Sequence, residues 1–356
     1  MFSEKRVRSF TEKIFKAIGC SSKDAKLAAD VLVSADLRGV DSHGVARLAG
    51  YVRLYDLGRL NPNPEIKIIH ETASTAVLDG DRGLGLVVAP QAMRLAMKKA
   101  KRVGSGWVAV QNSNHFGIAG YHAMLGLDQD MIGWSMTNAA PLVVPTFSKE
   151  KLLGTNPIAI AIPAGAEEPF VLDFATTAVA YGKMEILQRL GKPAPLGWVQ
   201  DAQGDPTDNP HAVREGGGLV PLGGDREHGG HKGYGLGAMV DILTGVLSGA
   251  NFGPWVPPFA TAGFHSAEVE QVGRGTGHFI GAMRVDAFQS TENFKGKMDQ
   301  WIRRFRSAKS VEGKHVQIPG DQERQFMAER RAQGIPLNEK VVESLAELGT
   351  RFNVKW

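Results

Sequence analysis

The chain has 356 residues, 43% hydrophobic and 22% charged, with a formal charge of +4, the composition of a soluble globular protein of one large or two to three modest domains. Its basic residues are scattered apart from two helix-like runs, 98–102 and 303–306, so nucleic acid is not an expected partner. A single cysteine, Cys20, excludes an internal disulfide and a cysteine metal cluster and suits a reducing cytoplasm, and neither a signal peptide nor a membrane span is expected.

Residues 3–19 have the spacing of an amphipathic helix, with Phe10, Ile14, Phe15 and Ile18 on one side. Ser21 or Ser22 caps a second helix that Gly39 stops. Next comes Asp41-Ser42-His43-Gly44-Val45-Ala46-Arg47, running on to Tyr51. A helix starting near His43 places His43, Arg47 and Tyr51 at i, i+4 and i+8 on one face, with Leu48, Val52, Leu54 and Leu57 inward. Such a stripe offers a proton donor, a carboxylate fork and a hydroxyl; a solvated helix face with an N-cap serine accounts for the same residues.

After residue 64 the pattern changes. Short β runs at 66–70 and 75–78 predict a hairpin, followed by a helix over 86–102 and a strand over 106–110. The polar turn 111–117, a helix over 118–127 and a strand over 132–136 complete a βαβ order and predict a partly parallel sheet. Two more strands are expected at 158–162 and 170–174, then a helix at 178–190. Residues 191–230 are rich in Gly, Pro and Asp and are expected to form a long functional loop. An apolar helix follows to about residue 247, then an irregular segment 250–276, a strand at 279–285 and helices from 291 onward. No internal repeat emerges.

Neither a Rossmann Gly-x-Gly-x-x-Gly turn nor a P-loop is present. Asn114-His115-Phe116-Gly117 lies where a strand gives way to a helix, a place for an anion such as a pyrophosphate or a plain Asn-capped turn. His231-Lys232-Gly233 also opens a helix, and a lysine there suits either a ligand phosphate or an ion pair. Asp173 closes an apolar β run, as a turn cap or a ligand-hydroxyl acceptor. The ten histidines lack metal-ligand spacing, so no metal is expected. The adjacency of Ser42 and His43, without a Gly-x-Ser-x-Gly elbow, excludes a Ser-His-Asp hydrolase.

Taken in order, Asp41-Ser42-His43-Gly44, Asn114-His115-Phe116-Gly117, Gly154-Thr155-Asn156-Pro157, Leu172-Asp173-Phe174-Ala175-Thr176, His231-Lys232-Gly233-Tyr234-Gly235 and Ile318-Pro319-Gly320 resemble the type 2 malate/L-lactate dehydrogenase family, over residues 3–350. That family includes ureidoglycolate and sulfolactate dehydrogenases and cyclic imino acid reductases. The resemblance implies an α/β, non-Rossmann fold with a mixed sheet and flanking helices, a homodimer, and NAD(P)-dependent interconversion of small 2-hydroxy and 2-oxo acids. Malate/oxaloacetate or L-lactate/pyruvate are the first substrates to expect, and a non-catalytic nucleotide-binding relative is the reading from another class. The cofactor would be NAD or NADP, with NAD favoured.

The same resemblance implies a division into residues 1–70, a helical part of the substrate and dimerisation domain; 71–290, the cofactor-binding α/β domain; and 291–356, packing back on the N-terminal part. It gives His43, beside Ser42, the proton transfer, with His115 as competitor, and Arg47 the substrate carboxylate. Tyr51 and Thr155 would line the substrate pocket. His115, Phe116, Gly117, Asp173, Phe174, Ala175, Lys232, Gly233, Pro319 and Gly320 would surround the cofactor. Some members orient the proton donor with an aspartate shortly after the Asp173 motif; here Glu185 is the acidic residue in that region. Residues around Tyr51 and His122, with the 191–230 loop, are expected to shape specificity.

Overall fold

The computed structural model describes residues 1–260 and 272–356. The chain opens with α1 (Glu4–Ala17) and α2 (Ser22–Leu37), capped by Ser3 and, as expected, by Ser21, whose side chains accept the N–H groups of Arg6 and Asp24. The next stretch departs from expectation. Asp41–His43 and Val45–Arg47 form two short 3₁₀ turns, and α3 (Leu48–Asp56) starts only at Leu48. Gly44, in an extended conformation at φ −84° and ψ −150°, separates the turns, so no continuous helix carries His43, Arg47 and Tyr51. Leu57, expected inward, lies exposed just beyond α3.

The hairpin β1 (Lys67–Glu71) and β2 (Thr75–Gly83) follows, then α4 (Gly85–Val103), β3 (Ser105–Ser113), the short α5 (Ala119–Met124) and β4 (Met131–Thr137). Strands β5 (Ile158–Ile162) and β6 (Phe170–Phe174) have the expected limits and precede α6 (Tyr181–Leu190). The expected loop 191–230 instead holds a small sheet of β7 (Val199–Gln200), β8 (Pro206–Thr207) and β9 (Gly218–Leu219). Its order comes from its own apolar contacts: Val199, Ala212, Val213 and Leu219 pack with Val143, Leu153 and Met184. Helix α7 (Gly230–Asp241) runs into a π-helical turn, Ile242–Val246. Of the expected irregular segment 250–276, residues 261–271 lie outside the described residues. Strand β10 (Thr276–Arg284) and helices α8 (Thr291–Arg306), α9 (Asp321–Gln333) and α10 (Glu339–Phe352) complete the chain.

The main sheet has the order β1-β2-β3-β10-β4-β5-β6, and only β2 and β3 pair in parallel. Parallel neighbours need a crossover, and α4 supplies it. The β3–α5–β4 unit does not make adjacent strands: β10 enters between β3 and β4, antiparallel to both. This is the mixed α/β sheet expected. Helices α4 and α5 cover the sheet core through Val88, Ala92, Met93, Ala96 and Ala123, joined by Phe116 from the turn before α5.

A second core joins α1, α2 and α3 to Ile335, Leu345 and Leu348 from the C-terminal section. Helices α9 and α10 thus pack on the N-terminal helices, while Ile302 and Met298 of α8 pack with Ala164, Phe170 and Ile318. No helix among the described residues is long and apolar enough to cross a membrane.

Candidate functional site

The 41–47 turns are held from beneath by a residue the sequence reading passed over. Asp36, near the end of α2 and 1% exposed, accepts the Val45 N–H at 2.9 Å. A side chain at Gly44 would fall 1.8 Å from Asp36 Oδ1, so glycine is required for the turn to lie on the carboxylate. Arg330 of α9 closes the other side, donating to the Asp36 carbonyl and to the Asp41 carboxylate. Burial pushes the Asp36 carboxyl up to about 8 despite the Val45 hydrogen bond. A carboxylate within the apolar run around Val31, Leu32 and Val33 was the available signal.

On this support Ser42 Oγ lies 2.9 Å from His43 Nδ1, and Arg47 Nε donates to the Ser42 carbonyl at 2.6 Å. One terminal nitrogen of Arg47 is 3.8 Å from Glu185 of α6. Glu185 therefore meets the guanidinium of Arg47 at ion-pair distance.

The second histidine arrives on the turn after β3. Asn114 Nδ2 donates to the carbonyls of Arg82 and Gly83, at 2.8 and 3.1 Å, which fastens that turn to the end of β2. The site thus forms beyond the carboxyl ends of the two parallel strands, where open α/β sheets bind ligands. The His115 and His43 rings stack with centroids 5.5 Å apart and planes 18° apart. Tyr51 is 0% exposed and its hydroxyl lies 2.7 Å from His115 Nδ1, which also receives the Gly117 N–H at 3.3 Å. An N–H can only donate, so Nδ1 is the acceptor and neutral His115 carries its proton on Nε2. Phe259 packs on both rings, 4.6 Å from His115 and 5.0 Å from Tyr51. It lies in an aperiodic segment where sequence spacing carries no signal.

Both imidazoles are half-buried, keeping some contact with solvent while protein crowds their other sides. Burial, with Arg47 adding to it, pushes His43 down to about 4. His115 is driven well below the ordinary range by burial and by His43 and Arg47 nearby. At neutral pH both rings are uncharged. Tyr51→Phe should retain the fold but lower turnover by about 10–100-fold, as losses of orienting partners do. Ring-nitrogen NMR shifts of His115 would check that its tautomer loosens as activity falls.

The remaining predicted residues divide. Asp173, at the end of β6, accepts the Gly120 N–H at 2.7 Å through one oxygen, so this carboxylate already serves the first turn of α5. Burial raises it to about 6, while its accessible side keeps it open to a ligand. Pro319 and Gly320 run beside the same strand, the Pro319 carbonyl accepting the Val171 N–H at 3.0 Å. The Phe116 ring turns into the core, stacked on His278 at 4.8 Å, which leaves only its backbone for a ligand. Phe174 is half-buried against the Met136–Ile158 core, Ala175 is half-buried and Gly117 buried.

The Thr176 N–H donates to the Thr155 carbonyl at 2.9 Å and the Leu222 N–H to the Thr176 carbonyl at 3.0 Å, which links the Thr155 turn to the start of α7. There Gly230 and Gly233 touch the backbone of residues 222–225, so these glycines serve helix packing. Lys232 projects exposed. His122, expected near the pocket, is fully buried with Nε2 2.8 Å from the Phe116 carbonyl, and supports the His115 turn from within.

A model of the malate/L-lactate dehydrogenase family matches residues 2–346. The malate dehydrogenase of Pyrococcus abyssi is 44% identical over 98% of this chain and 93% of its own length. The L-sulfolactate dehydrogenase of Methanocaldococcus jannaschii is 41% identical over 94% of this chain and 92% of its own. The solved structure of malate dehydrogenase from Pyrococcus horikoshii aligns with a TM-score of 0.89 at 42% identity, covering 99% of this chain and 96% of that one. The chain belongs to the malate/L-lactate dehydrogenase family: it is a dehydrogenase, of a family whose chemistry is the oxidoreduction of 2-hydroxy acids and implies a nicotinamide cofactor.

Proposed function

We propose that the protein is an NAD(P)-dependent oxidoreductase interconverting a small 2-hydroxy acid and its 2-oxo acid, with malate/oxaloacetate or L-lactate/pyruvate as first candidates. The observation that carries this reading is the pair of stacked, half-buried imidazoles, 5.5 Å apart, close to the half-buried Arg47 guanidinium. Relatives named for malate and sulfolactate support it.

The residues present fit a dinucleotide. Asp173 has an accessible carboxylate for a ribose hydroxyl, Lys232 an exposed cation for a phosphate, and the Gly117 turn a backbone that a ligand can approach. His115 to Gly117, Asp173 to Ala175, Lys232-Gly233 and Pro319-Gly320 would hold it. When bound, the nicotinamide supplies or takes the hydride at C2 of the acid.

Arg47 holds the substrate carboxylate with its planar fork, and so fixes the adjacent C2. His115, locked as the Nε2–H tautomer, donates a hydrogen bond to the carbonyl or alkoxide oxygen. His43 transfers the proton at that oxygen. Its Nδ1 faces a hydroxyl that can either donate or accept, so Ser42 permits both tautomers. Tyr51 orients His115, and Thr155 borders the pocket. Residues 1–70 and the C-terminal helices would form the substrate and dimerisation part, and 71–290 the cofactor part. Exposed Met239, Ile242, Val246 and Leu247 at the end of α7 support a homodimer. The buried free Cys20 accords with a cytoplasmic protein.

The test is nicotinamide oxidation by purified protein with NADH and NADPH, each against oxaloacetate, pyruvate, sulfopyruvate, the oxidised form of ureidoglycolate and cyclic imino acids. Activity on a 2-oxo acid is expected; silence across the whole panel would overturn the reading. Arg47→Lys should raise KM for the acid by about 10–100-fold with a smaller change in kcat, the worth of one charged hydrogen bond. Steady-state kinetics at saturating cofactor measure it.

A further inference from the structure

Arg38 ends α2 as its C-cap residue and is only 5% exposed. Other arginines on α1 and α9 are answered: Arg324 by Asp321 and the Pro169 carbonyl, Arg330 by Asp41 and the Asp36 carbonyl, Arg8 by Glu4 and Asp30. Arg38 is not. Among the described residues no carboxylate lies within ion-pair distance of its guanidinium, and none of its side-chain N–H groups has a protein acceptor.

A guanidinium largely withdrawn from water and left without protein acceptors is destabilising, and burial accordingly lowers its proton affinity. Glu323 and Asp173 act on it favourably from a distance, and Arg324 opposes them. Asp173 gives one oxygen to the Gly120 N–H, and Asp321, two residues before Glu323, is shared by Arg306 and Arg324. Helix α2 packs on α9 and on α5, whose first turn Asp173 holds, and Gly39, the next residue, abuts Phe326 of α9, so Arg38 sits where α2 meets these elements with its donors unspent.

We propose that Arg38 is an anion-binding residue of the cofactor cradle, its planar fork taking a phosphate of the bound dinucleotide while the neighbouring Asp173 accepts a ribose hydroxyl. This rests on the dinucleotide-dependent reading above and adds to it a residue outside the motifs that carry the resemblance. Two parallel N–H donors match two phosphate oxygens, a geometry that lysine does not reproduce. The phosphate is either the pyrophosphate bridge or a 2′-phosphate on the ribose, and the two dinucleotides tell these apart. Asp173 and Glu323 would repel the incoming anion in part. The raised proton affinity of Asp173 moderates the first of these.

Arg38→Met keeps the stem and removes the charge. Its thermal midpoint without cofactor should equal or exceed that of the parent, because an unanswered buried charge is gone. By fluorescence titration it should bind dinucleotide at least about 10-fold more weakly, equally for NADH and NADPH if the pyrophosphate is the partner, and for NADPH alone if the 2′-phosphate is. Inorganic pyrophosphate should raise the midpoint of the parent more than that of the variant in the first case.

Unchanged binding of both dinucleotides by Arg38→Met, with a lowered midpoint, would overturn the proposal and make Arg38 a structural counter-charge to Asp173 and Glu323. Should that variant not fold, Arg38→Lys decides: folded with binding several-fold weaker supports the proposal, folded with binding intact overturns it. Failure of the parent to bind either dinucleotide would remove the cofactor reading itself.

Discussion

His43→Ala should lower kcat in both directions by about 10²–10⁴-fold, the usual worth of a positioned acid–base group, while dinucleotide affinity stays near that of the parent. His115→Ala, which removes a polarising donor, should cost about 10²–10³-fold. The pH profile separates the two. Oxidation of the hydroxy acid needs His43 neutral, and burial with Arg47 beside it pushes that imidazole down to about 4. In the free enzyme kcat/KM for oxidation should therefore stay level as pH falls from 8 to about 5, and drop only near 4. A substrate carboxylate on Arg47 cancels part of the charge that depresses His43. The acid limb of kcat should consequently lie at higher pH than that of kcat/KM. An active His43→Ala enzyme alongside a dead His115→Ala enzyme would exchange the two roles.

The second large effect concerns the support under His43. Gly44→Ala would place a carbon 1.8 Å from Asp36 Oδ1, deep in a packed region. A loss of about 3 kcal/mol or more is expected, together with displacement of the Ser42–Arg47 turns and loss of activity. Asp36→Ala should also lose activity, because the Val45 N–H is left buried without its acceptor.

Asp36→Asn should behave differently. Its amide oxygen still accepts from Val45, and the native carboxyl, pushed up to about 8, is protonated at neutral pH in any case. The folded state binds this proton more tightly than the unfolded chain does, so the parent loses stability as pH rises from about 4 to about 8. Asp36→Asn has no such loss. Its advantage over the parent should grow through that window by up to about 1.4 kcal/mol per pH unit and level off above it. Thermal melts of both proteins between pH 5 and 9 measure this; a constant difference would show that Asp36 stays ionised in the fold.

Much of the molecule was legible residue by residue. Apolar spacing and Ser21 set α1 and α2, and the runs at 158–162 and 170–174 became β5 and β6 with the same limits. These features are local: a cap, a period, a β-branched run, each satisfied within a few residues. Ser42, His43, Arg47, Tyr51 and His115 were also named from sequence, and the fold brings them into one set of contacts. The spacing that first drew attention to them, however, belongs to a helix that does not form there.

What tertiary structure decided is what depends on partners far along the chain. Strand β10 enters between β3 and β4 because its neighbours are chosen by sheet pairing, which no local pattern encodes. Asp36 breaks the predicted helix at Gly44 by taking the Val45 N–H from below, and Arg330 reaches that turn from the C-terminal section. Tyr51, spaced like a solvated residue, is buried because His115 and Phe259 close over it. Phe116 and His122, beside the site in sequence, face the core, where their rings pack 4.7 Å apart. The sequence by itself determined the elements and the chemical groups; only the packing of distant segments decided which groups gather at the site, since burial and hydrogen-bond partners are properties of the assembled fold.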